Sequence, residues 1–157
     1  MAPPMAKKAP TTADKTTDNW LHLDQQLCFA LYSASLAMTK QYKPLLAPLG
    51  LTYPQYLVML VLWEASPTSV NEVGKRLSLD SGTLTPLLKR LEASGLISRQ
   101  RDSEDERRVL VSLTPKGQQL KQDAQSVPQA IACQVGLGLE DITTLRGTLQ
   151  RIKEQIR

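Results

Sequence analysis

Residues 69–114 read SVNEVGKRLSLDSGTLTPLLKRLEASGLISRQRDSEDERRVLVSLT, and they join two short helical patterns to two strand patterns. Ser69 and Glu72 have the spacing of a capping box, which predicts a helix start at this point. Asp80 is a favourable N-cap for a second helix. Gly95 is the residue type that most often follows a helix end. The segment therefore predicts two consecutive helices with a short polar connection between them.

The second predicted helix separates an apolar face from a polar, positive one. Its leucines recur at i, i+3, i+4 and i+7, namely at Leu84, Leu87, Leu88 and Leu91. At about 100° per residue, the opposite face carries Gly82, Thr85, Pro86, Lys89 and Arg90. Such a helix can bury its leucines and present two cations to a DNA groove. Pro86 removes one helical N–H, which predicts either a bend or a late start of this helix.

Two strand patterns, Ile97–Arg101 and Val109–Leu113, enclose a highly charged tip. Residues 99–108 contain four arginines and four acids, so the tip is not a polycation. Asp105 and Arg107 would lie on one side of an extended segment, where the carboxylate can fix a guanidinium that enters a minor groove. Alone, a solvated charged hairpin is the simpler interpretation. Joined to the two helices, the hairpin predicts a winged helix-turn-helix that binds double-stranded DNA.

Composition excludes several classes of function. The chain has 157 residues, a net charge of +4 and a pI near 9.2, which predicts one domain and suits a nucleic-acid partner. No apolar run approaches the roughly 20 residues that span a bilayer, and no signal peptide is visible, so we expect no membrane partner and a cytoplasmic location. Two cysteines and His22 alone make a structural zinc site improbable. We predict no catalytic residue, no metal and no cofactor.

The residues before this unit predict a tail and then a long helix. Residues 1–19 are rich in Ala, Pro, Thr and Lys, so we expect a disordered tail ahead of a single, mainly α domain at 20–157. From Trp20 to about Tyr42 the pattern indicates one helix. Its buried stripe is expected at Leu27, Leu31, Ala34 and Met38. Prolines at positions 44 and 48 should end that helix, with a short helical turn between them.

Three further helices are predicted. Thr52 and Gln55 have capping-box spacing and precede YLVMLVLWEA, which is apolar on nearly every face and therefore buried. Thr114–Pro115 begins a helix toward Cys133, which Pro128 should interrupt. The last helix carries an apolar seam with coiled-coil spacing, at Ile142, Leu145, Leu149, Ile152 and Ile156.

The apolar faces at residues 20–50 and 115–157 lie outside the DNA-binding unit at 69–114. We expect these helices to pair in a homodimer, because operators are commonly palindromic and a two-fold protein reads two half-sites about one helical turn apart. The same faces could instead pack within their own domain.

Cys28 lies in an aromatic-rich part of the chain. Six of the seven aromatic residues fall between Phe29 and Trp63, and the DNA-binding unit has none, which argues against single-strand binding. Free cysteines are mostly buried packing residues, and this is the simpler interpretation of Cys28 and of Cys133 from the residues alone. A reactive Cys28 needs a stabilised thiolate, which tyrosine hydroxyls and the helix start at Thr52 could supply.

The chain resembles the MarR family, and within it the organic-hydroperoxide-resistance repressors. The resemblance is carried by QLCFALYSAS, MTKQYKPLLAPLGLTYPQYLVMLVLWE and LSLDSGTLTPLLKRLEASGLISRQRDSEDERRVLVSLT, and it weakens after Thr114. It implies a winged-helix homodimer whose reduced form binds its operator and represses a peroxidase gene. Organic hydroperoxides, including lipid hydroperoxides, are the implied oxidising signal.

The resemblance also implies roles for individual residues. Cys28 would be oxidised to a sulfenic acid, and Tyr42 and Tyr53, with Tyr32 nearby, would reach it across the dimer. Cys133 would be a resolving cysteine that forms a disulfide with Cys28 of the other subunit. We assign the DNA contacts to the start of the second helix and to the hairpin tip, at Asp80, Ser81, Thr83, Thr85, Pro86, Lys89, Arg90, Asp105 and Arg107.

Two other interpretations stay open at this point. A thiol peroxidase using Cys28 and Cys133 would share the cysteine chemistry but would leave the winged unit unexplained. A MarR-type repressor released by a bound phenolic ligand would explain the winged unit and leave both cysteines inert. In the redox interpretation a disulfide needs Cα atoms within about 7 Å, so forming it between thiols that lie farther apart would move helices and change the spacing of two winged units.

Overall fold

The computed structural model describes residues 18–156, which are mostly helical. The chain divides into two compact units, residues 1–40 and 41–157, and the division falls within the first helix. The helices of the described residues are α1 (Leu27–Leu46), α2 (Tyr53–Glu64), α3 (Val70–Leu77), α4 (Ser81–Ala93), α5 (Pro115–Asp123), α6 (Ser126–Val135) and α7 (Leu139–Gln155). The strands are β1 (Thr68–Ser69), β2 (Ile97–Arg101) and β3 (Val109–Leu113). This architecture confirms the predicted fold class.

The sheet is a small antiparallel wing with strand order β1-β3-β2. The predicted hairpin is confirmed at both ends, because Ile97 pairs with Leu113 and Arg101 with Val109. β1 was not predicted. It consists of two residues that pair with the other edge of β3, Thr68 with Val111. A strand this short has no period in sequence, so only its distant partner defines it.

α2 is the central helix of the second unit, as predicted. Its buried residues are Gln55, Tyr56, Val58, Met59, Val61 and Leu62. The predicted capping box is complete, because the Thr52 hydroxyl accepts from the Gln55 N–H at 3.4 Å and the Gln55 amide oxygen accepts from the Thr52 N–H at 2.9 Å. The leucine stripe of α4 packs against α2 in the same core cluster. The start of α2 is therefore set by its local cap, and its place in the centre of the core is set by the burial of its apolar residues.

The predicted helix ends of the winged unit are present, but the Ser69–Glu72 capping box is only half formed. Ser69 Oγ accepts from the Glu72 N–H at 3.1 Å, whereas within the described residues no bond returns from the Ser69 N–H to the Glu72 carboxylate. Gly95 adopts a left-handed conformation with φ +74° after α4. α4 begins at Ser81, so Pro86 lies inside the helix and does not delay its start. The N–H that Pro86 lacks would have bonded to the Gly82 carbonyl. Gly82 is exposed, so water can satisfy that carbonyl.

The predicted bounds of the first helix were wrong. Two 3-10 turns, Asp18–Leu21 and Leu23–Gln25, precede α1, which begins only at Leu27. The Gln26 side-chain amide donates to the carbonyls of Trp20 and His22, so these carbonyls are satisfied without an α-helix. The helix also continues through position 44, since a proline close to the C-terminal end leaves only one carbonyl without its helical donor. The expected short turn follows as a 3-10 turn, Ala47–Leu49.

The apolar stripe of α1, which the sequence predicts to be buried, is exposed in the single chain. Leu27 is 60 % exposed, and Leu31, Ala34 and Met38 are also exposed. A helical stripe identifies a face that requires an apolar partner, but it does not say whether that partner belongs to the same chain. The tail expected at 1–19 lies outside the described residues, except that the backbone of residues 18 and 19 starts the first 3-10 turn.

The C-terminal helices are formed, with one displaced break. The interruption falls at Ala124–Gln125 and not at Pro128, because Pro128 lies in the first turn of α6, where a proline is tolerated. Glu140 and Asp141 occupy the first turn of α7, where acidic side chains complement the helix dipole. No residue of α7 is buried, and Leu145 in its apolar seam is 50 % exposed. The seam therefore has no complete partner within the single chain.

Within residues 18–156 no group of His, Cys, Asp and Glu residues could hold a metal ion. In the same range no single helix is long and apolar enough to cross a bilayer; only Leu27–Leu49 and Tyr53–Glu64 together reach the required length and composition, across a bend of 68°.

Candidate nucleic-acid interface and redox residues

The N-terminal part of α4 presents the face that we assigned to DNA. Its leucine stripe is buried and fixes the rotation of the helix on the core. On the other side Ser81, Thr83, Pro86, Lys89 and Arg90 are exposed and Thr85 is half-buried. The structure therefore brings these predicted residues together on one accessible face that carries two cations, as a groove-reading helix requires.

Asp80 contributes to this face through the start of the helix. Its Oδ1 accepts from the Thr83 N–H at 2.8 Å, and its Oδ2 accepts from the Thr83 hydroxyl at 3.4 Å. These bonds hold the pKa of the Asp80 carboxyl below its usual range, the backbone bond being the larger cause. Both carboxylate oxygens are engaged, so Asp80 caps α4 and orients the Thr83 side chain.

The hairpin tip is ordered by carboxylates that bind the backbone. Asp105 Oδ1 accepts from the backbone N–H of Arg107 at 3.1 Å, so the predicted contact between Asp105 and the Arg107 guanidinium is not formed here. Two residues apart in a tight turn, a carboxylate is closer to the following N–H groups than to a long side chain. The tip has one ion pair of its own, between Asp102 and Arg108 at 3.7 Å. Within the described residues the Arg107 guanidinium forms no ion pair, and it is exposed.

A cleft of about 200 Å³ lies between α4 and the hairpin. Its polar lining includes Ser69, Asn71, Thr85, Arg99, Arg107 and Arg108. Of the predicted DNA residues, Thr85 and Arg107 thus line one cleft although they belong to different elements. The prediction missed Arg99, Arg108, Ser69 and Asn71. The two arginines were visible in the charge pattern of the hairpin, whereas nothing in the sequence indicated the two residues at the start of α3.

Three tyrosines form a cluster in the second unit. The ring centroids of Tyr42 and Tyr53 are 4.6 Å apart, and those of Tyr42 and Tyr56 are 5.8 Å apart. Burial, and then proximity to the other two phenols, raises the pKa of Tyr42 to about 12; burial also raises the pKa of Tyr53 and of Tyr56. At neutral pH the hydroxyls are therefore protonated and available as donors. Tyr56 was not in the predicted set, although its i, i+3 spacing from Tyr53 could have indicated it.

Both cysteines are free and exposed, so the simpler interpretation of buried packing residues does not hold for the single chain. Cys28 is the second residue of α1 and lies in the first helical turn, whose N–H groups have no helical acceptor. Anionic groups are stabilised at this position. The sequence prediction missed this feature because it began the helix at Trp20. Cys133 lies in the last turn of α6, and Tyr32, in the first unit, is 62 % exposed.

Comparison with known proteins assigns the family. A family model described as transcriptional regulator SarA/Rot matches residues 40–124. Over 136 residues the chain is 50 % identical to the organic hydroperoxide resistance transcriptional regulator of Bacillus subtilis, a match that spans 87 % of this chain and 92 % of that protein. The chain belongs to the MarR family of winged-helix transcriptional regulators.

Solved structures give the same family. Reduced AbfR bound to DNA is 40 % identical to this MarR-family chain with a TM-score of 0.70, and the match covers 86 % of this chain and 96 % of that one. Disulfide-formed AbfR is 38 % identical with a TM-score of 0.61, over 87 % of this chain and 96 % of that one. AbfR is a protein of Staphylococcus epidermidis. The TM-score is thus higher with the reduced, DNA-bound AbfR chain than with the disulfide-formed one.

Proposed function

We propose that this MarR-family protein is a repressor that senses organic hydroperoxides through Cys28 and then releases its operator. In the cytoplasm the reduced homodimer holds double-stranded DNA with two winged units at 69–114. Oxidation of Cys28 leads to a disulfide with Cys133 of the partner subunit, which separates the protein from DNA. The observation that carries this proposal is an exposed thiol in the first turn of a helix, in a chain that also exposes a cationic α4 face.

DNA binding follows from the winged unit. The exposed face of α4 has the width and polarity to enter a major groove, and Lys89 and Arg90 supply its charge. The hairpin carries the exposed guanidinium of Arg107, which suits an adjacent minor groove. The DNA complex of reduced AbfR supports this assignment in a relative that is 40 % identical.

The redox step uses ordinary cysteine chemistry. The Cys28 thiolate attacks the peroxide O–O bond, takes up one oxygen as sulfenic acid and releases the corresponding alcohol. The Cys133 thiol then attacks the sulfenic sulfur, forming the disulfide and releasing water. Tyr42 and Tyr53, which stay protonated at neutral pH, are assigned to reach Cys28 across the dimer and to hold the hydroperoxide or the sulfenic oxygen by hydrogen bonds. Tyr32 is assigned to the same role.

The exposed apolar faces support a homodimer. The stripe of α1 and the seam of α7 leave large side chains in solvent, which a stable monomer rarely does over such an extent. We assign residues 20–50 and 115–157 to the dimer interface. A two-fold arrangement would set the distance between two α4 helices, and hence the spacing of half-sites that the protein can read.

A disulfide between subunits can change that distance. A bonded pair requires Cα atoms within about 7 Å, so thiols farther apart must draw their helices together. A coupling of about 1–3 kcal/mol already changes affinity about 5–150-fold. The lower similarity of this conformation to disulfide-formed AbfR than to the reduced complex supports a rearrangement of this kind.

Substitution of the exposed cations should weaken operator binding. We expect Lys89→Ala and Arg107→Ala each to lower operator affinity roughly tenfold. Each should also make the slope of log K against log salt concentration less steep by about 0.9, the contribution of one phosphate contact. Fluorescence anisotropy with reduced protein at several salt concentrations measures both effects. Lys153→Ala removes the same charge from an exposed position of α7 that is not part of its apolar seam, and it is the control. Affinities that do not change with salt would contradict the assignment.

Removal of the second thiol should stop the reaction midway. We expect Cys133→Ser, treated with one equivalent of cumene hydroperoxide, to accumulate sulfenic acid or a mixed disulfide with an added small thiol. The unsubstituted chain should give a band at twice the monomer mass on a non-reducing gel and lose two hydrogens per cysteine pair by mass spectrometry. A covalent dimer formed by Cys133→Ser would join two Cys28 residues, and it would show that Cys133 is not the resolving thiol.

One observation favours a second candidate function. An apolar cleft of about 220 Å³ lies beside α2, α5 and α6, and Tyr56, Leu60, Trp63 and Pro128 are among its lining residues. A phenolic ligand bound there could release the repressor while both cysteines stay inert. In that case hydroperoxide would leave the mass of the protein unchanged, and a titration with phenolic acids would weaken DNA binding instead.

A further inference from the structure

Glu92 in the last turn of α4 binds Arg99 of β2 through three hydrogen bonds. Its Oε2 accepts from the guanidinium Nη2 at 2.7 Å and Nε at 3.0 Å, and its Oε1 accepts from the backbone N–H of Arg99 at 3.0 Å. The Arg99 side chain is only 25 % exposed. One carboxylate therefore binds both the main chain and the side chain of Arg99 in β2.

This contact joins α4 to the first strand of the hairpin, β2. Arg99 lies two residues after the buried Ile97, so both side chains point to the same face of the hairpin. Arg99 also lines the cleft that Thr85 and Arg107 share. The arginine guanidinium, and then the Arg99 N–H, hold the pKa of the Glu92 carboxyl below its usual range, so the pair stays charged at neutral pH.

We propose that Glu92 is a positioning residue for DNA recognition: by binding Arg99 it holds the hairpin at the angle that lets α4 and the wing contact adjacent grooves together. Glu92 itself does not contact the operator. The inference rests on the proposed DNA binding and adds a residue that acts through the wing.

The experiment distinguishes a role of Glu92 in positioning the hairpin from a role in the folding of α4 or in its own DNA contacts. An operator duplex is first selected from random sequence with the reduced, unsubstituted protein, and a second duplex is shortened by the flanking base pairs that only the wings reach. Glu92→Gln keeps the size of the side chain but removes its charge and turns an amide donor toward the guanidinium. We expect it to bind the full duplex about three- to tenfold more weakly, a size typical of an indirect contribution. It should bind the shortened duplex like the unsubstituted protein.

Matched variants complete the design. Arg99→Lys keeps the charge but lacks the planar fork, so it should lose affinity for the full duplex in the same way. Glu64→Gln breaks another ion pair, between Glu64 and Arg76 at 2.5 Å, which joins α2 to α3 and not α4 to the hairpin. It should bind both duplexes normally. If Glu92→Gln does not fold, Arg99→Lys carries the same comparison.

Two results would overturn the inference. One is full affinity of both Glu92→Gln and Arg99→Lys for the full duplex. The other is an equal loss on both duplexes, which would assign Glu92 to the stability of α4. Failure of the proposed function is distinguishable, because the unsubstituted protein would then select no duplex at all.

Discussion

Replacing Cys28 with serine is expected to leave operator binding unchanged and to abolish release by organic hydroperoxides. The hydroxyl is nearly isosteric with the thiol, and Cys28 is exposed in the first turn of α1, so the reduced conformation should persist. Serine cannot form a sulfenic acid or a disulfide, so no oxidised state exists to change the spacing of the winged units. This is the largest functional effect expected of any single substitution in the chain.

The measurement is operator binding before and after one equivalent of cumene hydroperoxide, followed by addition of a thiol reductant. The unsubstituted protein should lose affinity on oxidation and regain it on reduction, whereas Cys28→Ser should stay bound throughout. Cys133→Ser is the control that retains the reactive thiol. Release of Cys28→Ser at the rate of the unsubstituted protein would identify another sensor, and steady turnover of peroxide over many equivalents would favour a thiol peroxidase.

Gly117→Ala is expected to cause the largest loss of stability among the glycine substitutions of the described chain. A Cβ at Gly117 would lie 2.1 Å from the Leu96 carbonyl oxygen and 3.2 Å from Leu113 Cδ2. The obstacle is backbone and cannot rotate away, so α5 would have to move off the base of the hairpin. Overpacking of this kind costs about 3 kcal/mol.

The surrounding bonds explain why α5 cannot move without further loss. The Gly117 N–H donates to Thr114 Oγ1 at 3.0 Å, and its carbonyl accepts from Trp63 Nε1 at 2.9 Å. The Thr114 hydroxyl in turn donates to the Gly95 carbonyl at 2.6 Å. Displacing α5 would break the connection between the winged unit and the C-terminal helices, so DNA binding should weaken together with stability.

Urea unfolding at fixed protein concentration measures the loss, and Gly147→Ala is the matched control. Gly147 lies within α7, where an added Cβ meets nothing within 4 Å. Alanine there should be neutral or stabilising by up to about 1 kcal/mol, because it has the higher helix propensity. A Gly117→Ala protein that unfolds at the same urea concentration as the unsubstituted chain would contradict the packing described.

The helix starts at Thr52, Ser69, Asp80 and Thr114 were predictable because a cap is formed by residues three apart. The cationic face of α4 was predictable for the same reason, since a buried leucine stripe defines the opposite side of a single helix. The start of α1 was not, because the Gln26 side chain competes for carbonyls that a helix beginning at Trp20 would have used. The position of Cys28 in a first turn was missed with it.

Contacts between residues distant in sequence, or set by turn geometry, were not predictable. The sequence offered four acids as partners for the hairpin arginines, yet Asp105 binds a backbone N–H and the strongest pair joins Arg99 to Glu92 outside the tip. The two-residue strand β1 and the close approach of Gly117 to Leu96 exist only because of pairing across tens of residues.

Elements, caps and the division of each helix into apolar and polar faces follow from residue order, because they depend on neighbours within about one or two helical turns. What covers each apolar face does not follow from residue order. The leucines of α4 meet α2 and are buried, while the equally periodic residues of α1 and α7 remain in solvent. The apolar pattern shows which face of a helix is stabilised by burial. Only packing in three dimensions decides which surface covers that face.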